Sequence, residues 1–155
     1  MAGVPPAGLH GARHKSFTFR TSTTWSAGTS GVITTEGRPA LSVSAPAEFR
    51  GESQAWSPEE LFIASVETCF MSTFLAYAGQ RQLPILAYRS HANGVLEHVD
   101  GQYRFTRIVL FPSITVADAG AEEDLHALLG ETREHCLIAN SIASIVEINP
   151  TIVIA

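Results

Sequence analysis

The segment that begins at Ser57 limits this chain more than any other. Ser57-Pro58-Glu59-Glu60 carries the marks of a helix start. Ser57 caps free backbone N–H groups, Pro58 suits the first helical position, and Glu60 completes a capping box while both carboxylates favour the positive end of the dipole. The pattern predicts a helix over Pro58–Ala78, with Gly79 as C-cap and Pro84 preventing continuation, about 31 Å long. Leu61, Phe62, Ile63, Ala64, Val66, Phe70, Met71, Phe74, Leu75 and Tyr77 place apolar groups on almost every face. Such a helix must be buried nearly all round. One small subunit cannot easily surround it, so the expected packing is a sheet on one side and a partner helix on the other. Glu67 and Thr68 in its middle argue against a membrane span, since a carboxylate at the bilayer centre costs about 3 kcal/mol or more.

The remaining segments read as strands and shorter helices. Residues 1–15 contain Pro5, Pro6, Gly8 and Gly11 and no hydrophobic leader, so a flexible tail is expected there and a single domain over 16–155. Ser16–Thr21, Val32–Thr35 and Ala40–Ser44 are separated by turn signals and suggest a small antiparallel meander. Two strands, Ala87–Leu96 and Tyr103–Phe111, are joined through Asp100-Gly101. Asp118–Glu134 is an amphipathic helix with Leu125, Leu128 and Leu129 on one stripe. A short helix over Leu137–Ser144 and a closing strand over Val146–Ile154, held to an edge by Pro150, complete the chain. This order argues for an α+β fold rather than a parallel α/β sheet.

Hydrophobic residues make up 45% of the chain and charged ones 16%, which asks for burial between subunits. A net charge of −5 with Lys15 as the sole lysine argues against nucleic-acid binding. The cytoplasm is the expected compartment.

Cys69 lies within the long helix and Cys136 follows the amphipathic one. A chain of this length buries a core without a disulfide, and no closely spaced Cys or His pairs suggest zinc, so neither metal nor cofactor is expected. Two readings remain: packed apolar thiols, or thiol chemistry.

The run Ser57-Pro58-Glu59-Glu60-Leu61, with Cys69 ten residues after Glu59, resembles the central helix of the OsmC/Ohr family, which includes thiol peroxidases that reduce organic hydroperoxides. A downstream Cys-Pro-x-Ser-Asn pattern is matched at Cys136 and Asn140 but not at Leu137 and Ala139, and Trp25 and Gly28 also look like the family. The resemblance covers about Thr24 to the C-terminus. It implies an OsmC-like α+β fold, with antiparallel sheets around a long central helix and an intertwined homodimer. It also implies Cys69 as the nucleophile attacking an organic hydroperoxide, Cys136 as the resolving thiol, and an external dithiol, of lipoyl type, as reductant.

An activating arginine held by Glu59 is implied as well. Arg50 in the loop before the helix is the candidate, with Arg38 and Arg20 behind it, and the competing reading of Arg50 is a solvated loop charge. Ten helical residues separate Glu59 from Cys69 by about 15 Å, so the two share a site only if the helix bends or Glu59 comes from the other subunit. Phe49, Trp56 and Phe70 are candidate walls for a bulky substrate, although aromatic residues are often ordinary core. His135 reads as solvated, and Glu67 is the unexplained charge in the apolar helix. Rivals to the peroxidase reading are a non-catalytic member of the fold that binds an apolar small molecule, and a redox sensor using the same two cysteines.

Overall fold

Strand β1 (Ser22–Ala27), β2 (Ser30–Thr34) and β3 (Leu41–Val43) form the expected antiparallel meander in the order β1-β2-β3. The first strand starts six residues later than its Phe17–Phe19 alternation suggests, and both rings are exposed. Alternation alone does not hold a segment in a sheet when no neighbour accepts its apolar face. The computed structural model describes residues 15–155; the tail expected over residues 1–15 lies, Lys15 apart, outside the described residues.

Helix α1 (Pro58–Gln80) starts where its capping box requires. Ser57 Oγ accepts from the Glu60 backbone N–H at 3.1 Å, and the Glu60 carboxylate accepts from the Ser57 N–H at 2.8 Å. The helix runs past Gly79 and ends at Arg81, because Gln82 takes a left-handed turn (φ 57°) ahead of Pro84. Its fully buried stripe is Val66, Phe70, Phe74 and Ala78, one residue every turn. Thr68, Ser72, Leu75 and Ala76 are exposed, so one protomer does not bury the helix all round.

Beyond α1 the chain makes three passes, each broken at a corner. The first is β4 (Ile85–Arg89) and β5 (Ala92–Val99), the second β6 (Gln102–Leu110) and β7 (Ser113–Val116), and the third β8 (Ile145–Ile148) and β9 (Thr151–Ile154). One half of each pass enters the sheet β5-β6-β8 and the other the sheet β4-β7-β9. Where the sequence suggests continuous strands over Ala87–Leu96 and Val146–Ile154, the backbone turns at Ser90 and at Asn149-Pro150. Pro112 and Pro150 sit at two of the corners, where a missing N–H does no harm. Antiparallel pairing joins β5 to β6 and β4 to β7, whereas β8 and β9 add parallel edges to β6 and β7. The β5–β6 hairpin turns through Asp100 (φ 52°) and Gly101 (φ 81°), the two positive φ angles that a tight right-twisted hairpin needs.

Helix α2 (Glu122–His135), preceded by a 3-10 turn at Ala119–Ala121, packs against α1 through Leu125, Leu128, Leu129 and Thr132. The expected helix over Leu137–Ser144 is reduced to one 3-10 turn, Ala139–Ser141. The core gathers the α1 stripe, the α2 stripe, Ile108 and Leu110 of β6, Ile114 and Val116 of β7, Val146 and Cys136. Each such large side chain removed from water contributes about 1.5–3 kcal/mol.

Candidate functional site

Cys69 sits halfway along α1, half-buried beside the core, and Cys136 is the C-cap residue of α2, fully buried in extended conformation. Sixty-seven residues apart in the chain (136 − 69), they meet because α1 and α2 pack face to face. The Cys136 thiol lies beside Cys69, and both are free thiols. Burial pushes the Cys136 thiol above its ordinary range; the backbone N–H of Ala139 partly offsets this, and the neighbouring Cys69 raises it further. Cys136 therefore keeps its proton at neutral pH.

The residues after Cys136 hold it in place. Asn140 donates from its backbone N–H to the Cys136 carbonyl at 3.0 Å and from Nδ2 to the Glu134 carbonyl at 2.6 Å, closing the end of α2. Arg133 Nε donates to the Val146 carbonyl at 3.0 Å and ties the same turn to β8. Asn140 was marked in the sequence by its spacing from Cys136. Arg133 escaped notice, its only signal being a basic residue in the last helical turn.

Glu59 lies in the first turn of a continuous α1, so within one protomer the helix does not bend it toward Cys69. One of its carboxylate oxygens is shielded from solvent and has no hydrogen-bond partner. It borders a cavity of about 340 Å³, whose other walls include Phe49, Ile63, Leu96 and Phe105. Arg50 does not pair with it: Arg50 is exposed in a left-handed conformation (φ 65°) at the end of the 3-10 turn Ala47–Phe49. Among the described residues no ion pair or hydrogen bond joins Arg50, Arg38 or Arg20 to Glu59 or Cys69.

The three aromatic candidates separate. Phe70 is 1% exposed and belongs to the core, which leaves it no open face for a substrate. Phe49 is half-exposed at the mouth of the Glu59 cavity, its ring edge-on to Tyr103 at 6.3 Å. Trp56 is also half-exposed, its backbone bridging to β3. His135 is exposed, as expected, and its ring meets Tyr77 of α1 at 5.9 Å. Glu67 faces Tyr88 of β4, whose phenol is pushed up to about 12 by burial and by the Glu67 charge.

The uncharacterized protein YmaD of Bacillus subtilis is 23% identical over 110 residues, covering 69% of this chain and 73% of its own length. The OsmC-like protein of unknown function VCA0330 of Vibrio cholerae superposes with a TM-score of 0.78 at 21% identity, over 84% of this chain and 97% of that one. An organic hydroperoxide resistance protein of Elizabethkingia anophelis gives 0.70 at 18% identity, over 91% and 99%. These structural likenesses establish the fold. The family described as OsmC-like protein matches residues 51–151, most of the described chain and both cysteines, and this protein belongs to that family.

Proposed function

We propose that the protein reduces organic hydroperoxides with Cys69 as nucleophile and Cys136 as resolving thiol. The observation that carries this reading is the juxtaposition of a half-buried thiol with a fully buried one beside it. The Cys69 thiolate attacks one peroxide oxygen, the O–O bond breaks, and the alkoxide takes a proton and leaves as an alcohol. Cys69 is then a sulfenic acid. The Cys136 sulfur displaces its hydroxyl as water and forms a disulfide, which shields Cys69 from further oxidation. A dithiol of lipoyl type returns two electrons and two protons to the pair. Relatives named as organic hydroperoxide resistance proteins support the substrate class.

The working unit in this reading is a homodimer. The uncovered face of α1 supplies the surface, and the partner's α1 start supplies the carboxylate that one protomer holds about 15 Å from its own sulfur.

A redox-sensor reading is favoured by a different observation, the lack of any arginine paired with Glu59 or Cys69 among the described residues. Without a nearby cation the sulfur gains no charge stabilisation, and oxidation is slow.

Peroxide consumption with a dithiol, compared among wild type, Cys69→Ser and Cys136→Ser, tests both readings. The enzyme reading expects consumption to fall to background in Cys69→Ser and to decay through overoxidation in Cys136→Ser. Disulfide formation after peroxide addition without repeated turnover supports the sensor, and no oxidation of either thiol sinks both.

A further inference from the structure

We propose that the outer corner between the sheets β4-β7-β9 and β5-β6-β8 binds a small organic phosphate, its phosphate over Ser113 and a flat ring against His91. Each of the three passes bends once, and side-chain alternation runs unbroken through every bend. Tyr88 and Ala92, Leu110 and Ile114, and Ile148 and Ile152 join the core. Arg89 and His91, Phe111 and Ser113, and Asn149 and Thr151 therefore turn to the opposite face. These six line a cavity of about 520 Å³, in the size range of small-molecule sites.

Strand register sets the donors in a row. Arg89 pairs with Ser113 and Ser113 with Thr151, and neighbouring strands lie about 4.8 Å apart. An oxyanion above Ser113 meets that hydroxyl from below, the Thr151 hydroxyl from one side and the Arg89 fork from the other, with the Asn149 amide two residues before Thr151. Donors arriving from several directions match the three terminal oxygens of a phosphate monoester better than the two of a carboxylate.

The corner is held in shape without a ligand. The Phe111 N–H donates to the His91 carbonyl at 2.9 Å, and the N–H groups of Asn149 and Thr151 donate to the Leu110 and Pro112 carbonyls at 2.8 Å. A site fixed in this way loses little further freedom on binding. The His91 and Phe111 rings stack at 4.7 Å, 7° from parallel, and form a flat wall beside the donors. No carboxylate lines the cavity, and Glu147, two residues before Asn149, is paired with Arg107 at 4.0 Å. In a chain of net charge −5 this wall is basic. None of its residues belongs to α1, the N-terminal meander or the turn after Cys136, so the site requires neither the thiols nor the surfaces assigned to the homodimer.

The probe is phenyl phosphate, titrated into the reduced full-length protein without peroxide and followed by calorimetry and by amide chemical shifts. Saturable binding at one site per chain is expected, with shifts centred on the three corners. Arg89→Gln should weaken it about tenfold or more and Ser113→Ala about threefold. Arg104→Gln, which removes an exposed charge from the β5–β6 hairpin, should leave it unchanged. Inorganic phosphate and benzoate should each bind more weakly than phenyl phosphate, and phenol should not saturate. Equal affinity of phenyl phosphate for wild type and Arg89→Gln overturns the proposal, as does an equal loss in Arg104→Gln, which would reduce the effect to net charge. Any of the three comparison compounds matching phenyl phosphate, or the absence of saturable binding, overturns it as well.

Discussion

The α1–α2 layer and the N-terminal meander use similar residues to opposite ends. In the layer, Phe70, Phe74, Leu125 and Leu128 are almost wholly removed from water. In the meander every residue of β1 is exposed and Trp25 keeps 73% of its surface in solvent, its indole N–H donating only to the Gly28 carbonyl across the turn. What ties the meander to the rest is polar and local: Ser30 bonds to Glu52 and Ser44, and Val43 bridges to Trp56. The contrast teaches that the layer has a core of its own, whereas the meander's apolar face, like the outer face of α1, still lacks a cover. A second copy of the chain is the cover we propose.

The largest effect expected from this contrast is in the layer. Phe74→Ala should lower stability by about 3–5 kcal/mol through lost transfer energy and a residual cavity, read from urea unfolding. Trp25→Ala should leave single-chain stability nearly unchanged and instead weaken self-association by about 2 kcal/mol, read by analytical ultracentrifugation. Equal losses in both measurements would erase the distinction between the regions. Asn140→Ala should cost about 1 kcal/mol and slow disulfide formation between Cys69 and Cys136, because the turn carrying Cys136 loses its tie to the Glu134 carbonyl. Stopped-flow thiol titration after a peroxide pulse checks this, and unchanged kinetics would make Asn140 a stability residue alone.

The smallest effect is confined to alkaline solution. Burial raises the Cys136 thiol and, from 10.0 to about 12, the Tyr88 phenol, so the unfolded chain releases these protons first as pH rises. Their contribution is complete below the ordinary thiol and phenol ranges and is lost upward from there, for Tyr88 through about pH 12. Stability should fall above neutrality, and Tyr88→Phe should flatten that fall at its alkaline end. Denaturant midpoints between pH 7 and 11 provide the measurement. A fall of the same steepness in Tyr88→Phe would show that Tyr88 adds nothing to it.

Much of the fold is legible in the sequence alone. The capping box at Ser57, the leucine stripe of α2 and the Asp100-Gly101 hairpin are local devices, complete within a few residues of chain, and all three appear where expected. The corners at Ser90 and Asn149-Pro150 were not legible, since both flanking runs are apolar and the break exists only because the two halves join different sheets. Nor could the parallel edges of β8 and β9 be read, because pairing between distant strands leaves no local mark.

The candidate site divides in the same way. From the sequence alone came the two thiols, the carboxylate at the start of α1 and the asparagine four residues beyond Cys136, each carried by residue type and spacing. Only the tertiary structure decided that the thiols meet, that Phe70 is core rather than a substrate wall, and that Arg50 stands in solvent while Glu59 faces an apolar cavity. The physical reason is range. Caps, turns and helical stripes are set by groups within about one turn of each other. Thiol proximity and charge pairing depend on the packing of segments dozens of residues apart, where small differences in helix orientation choose the partner.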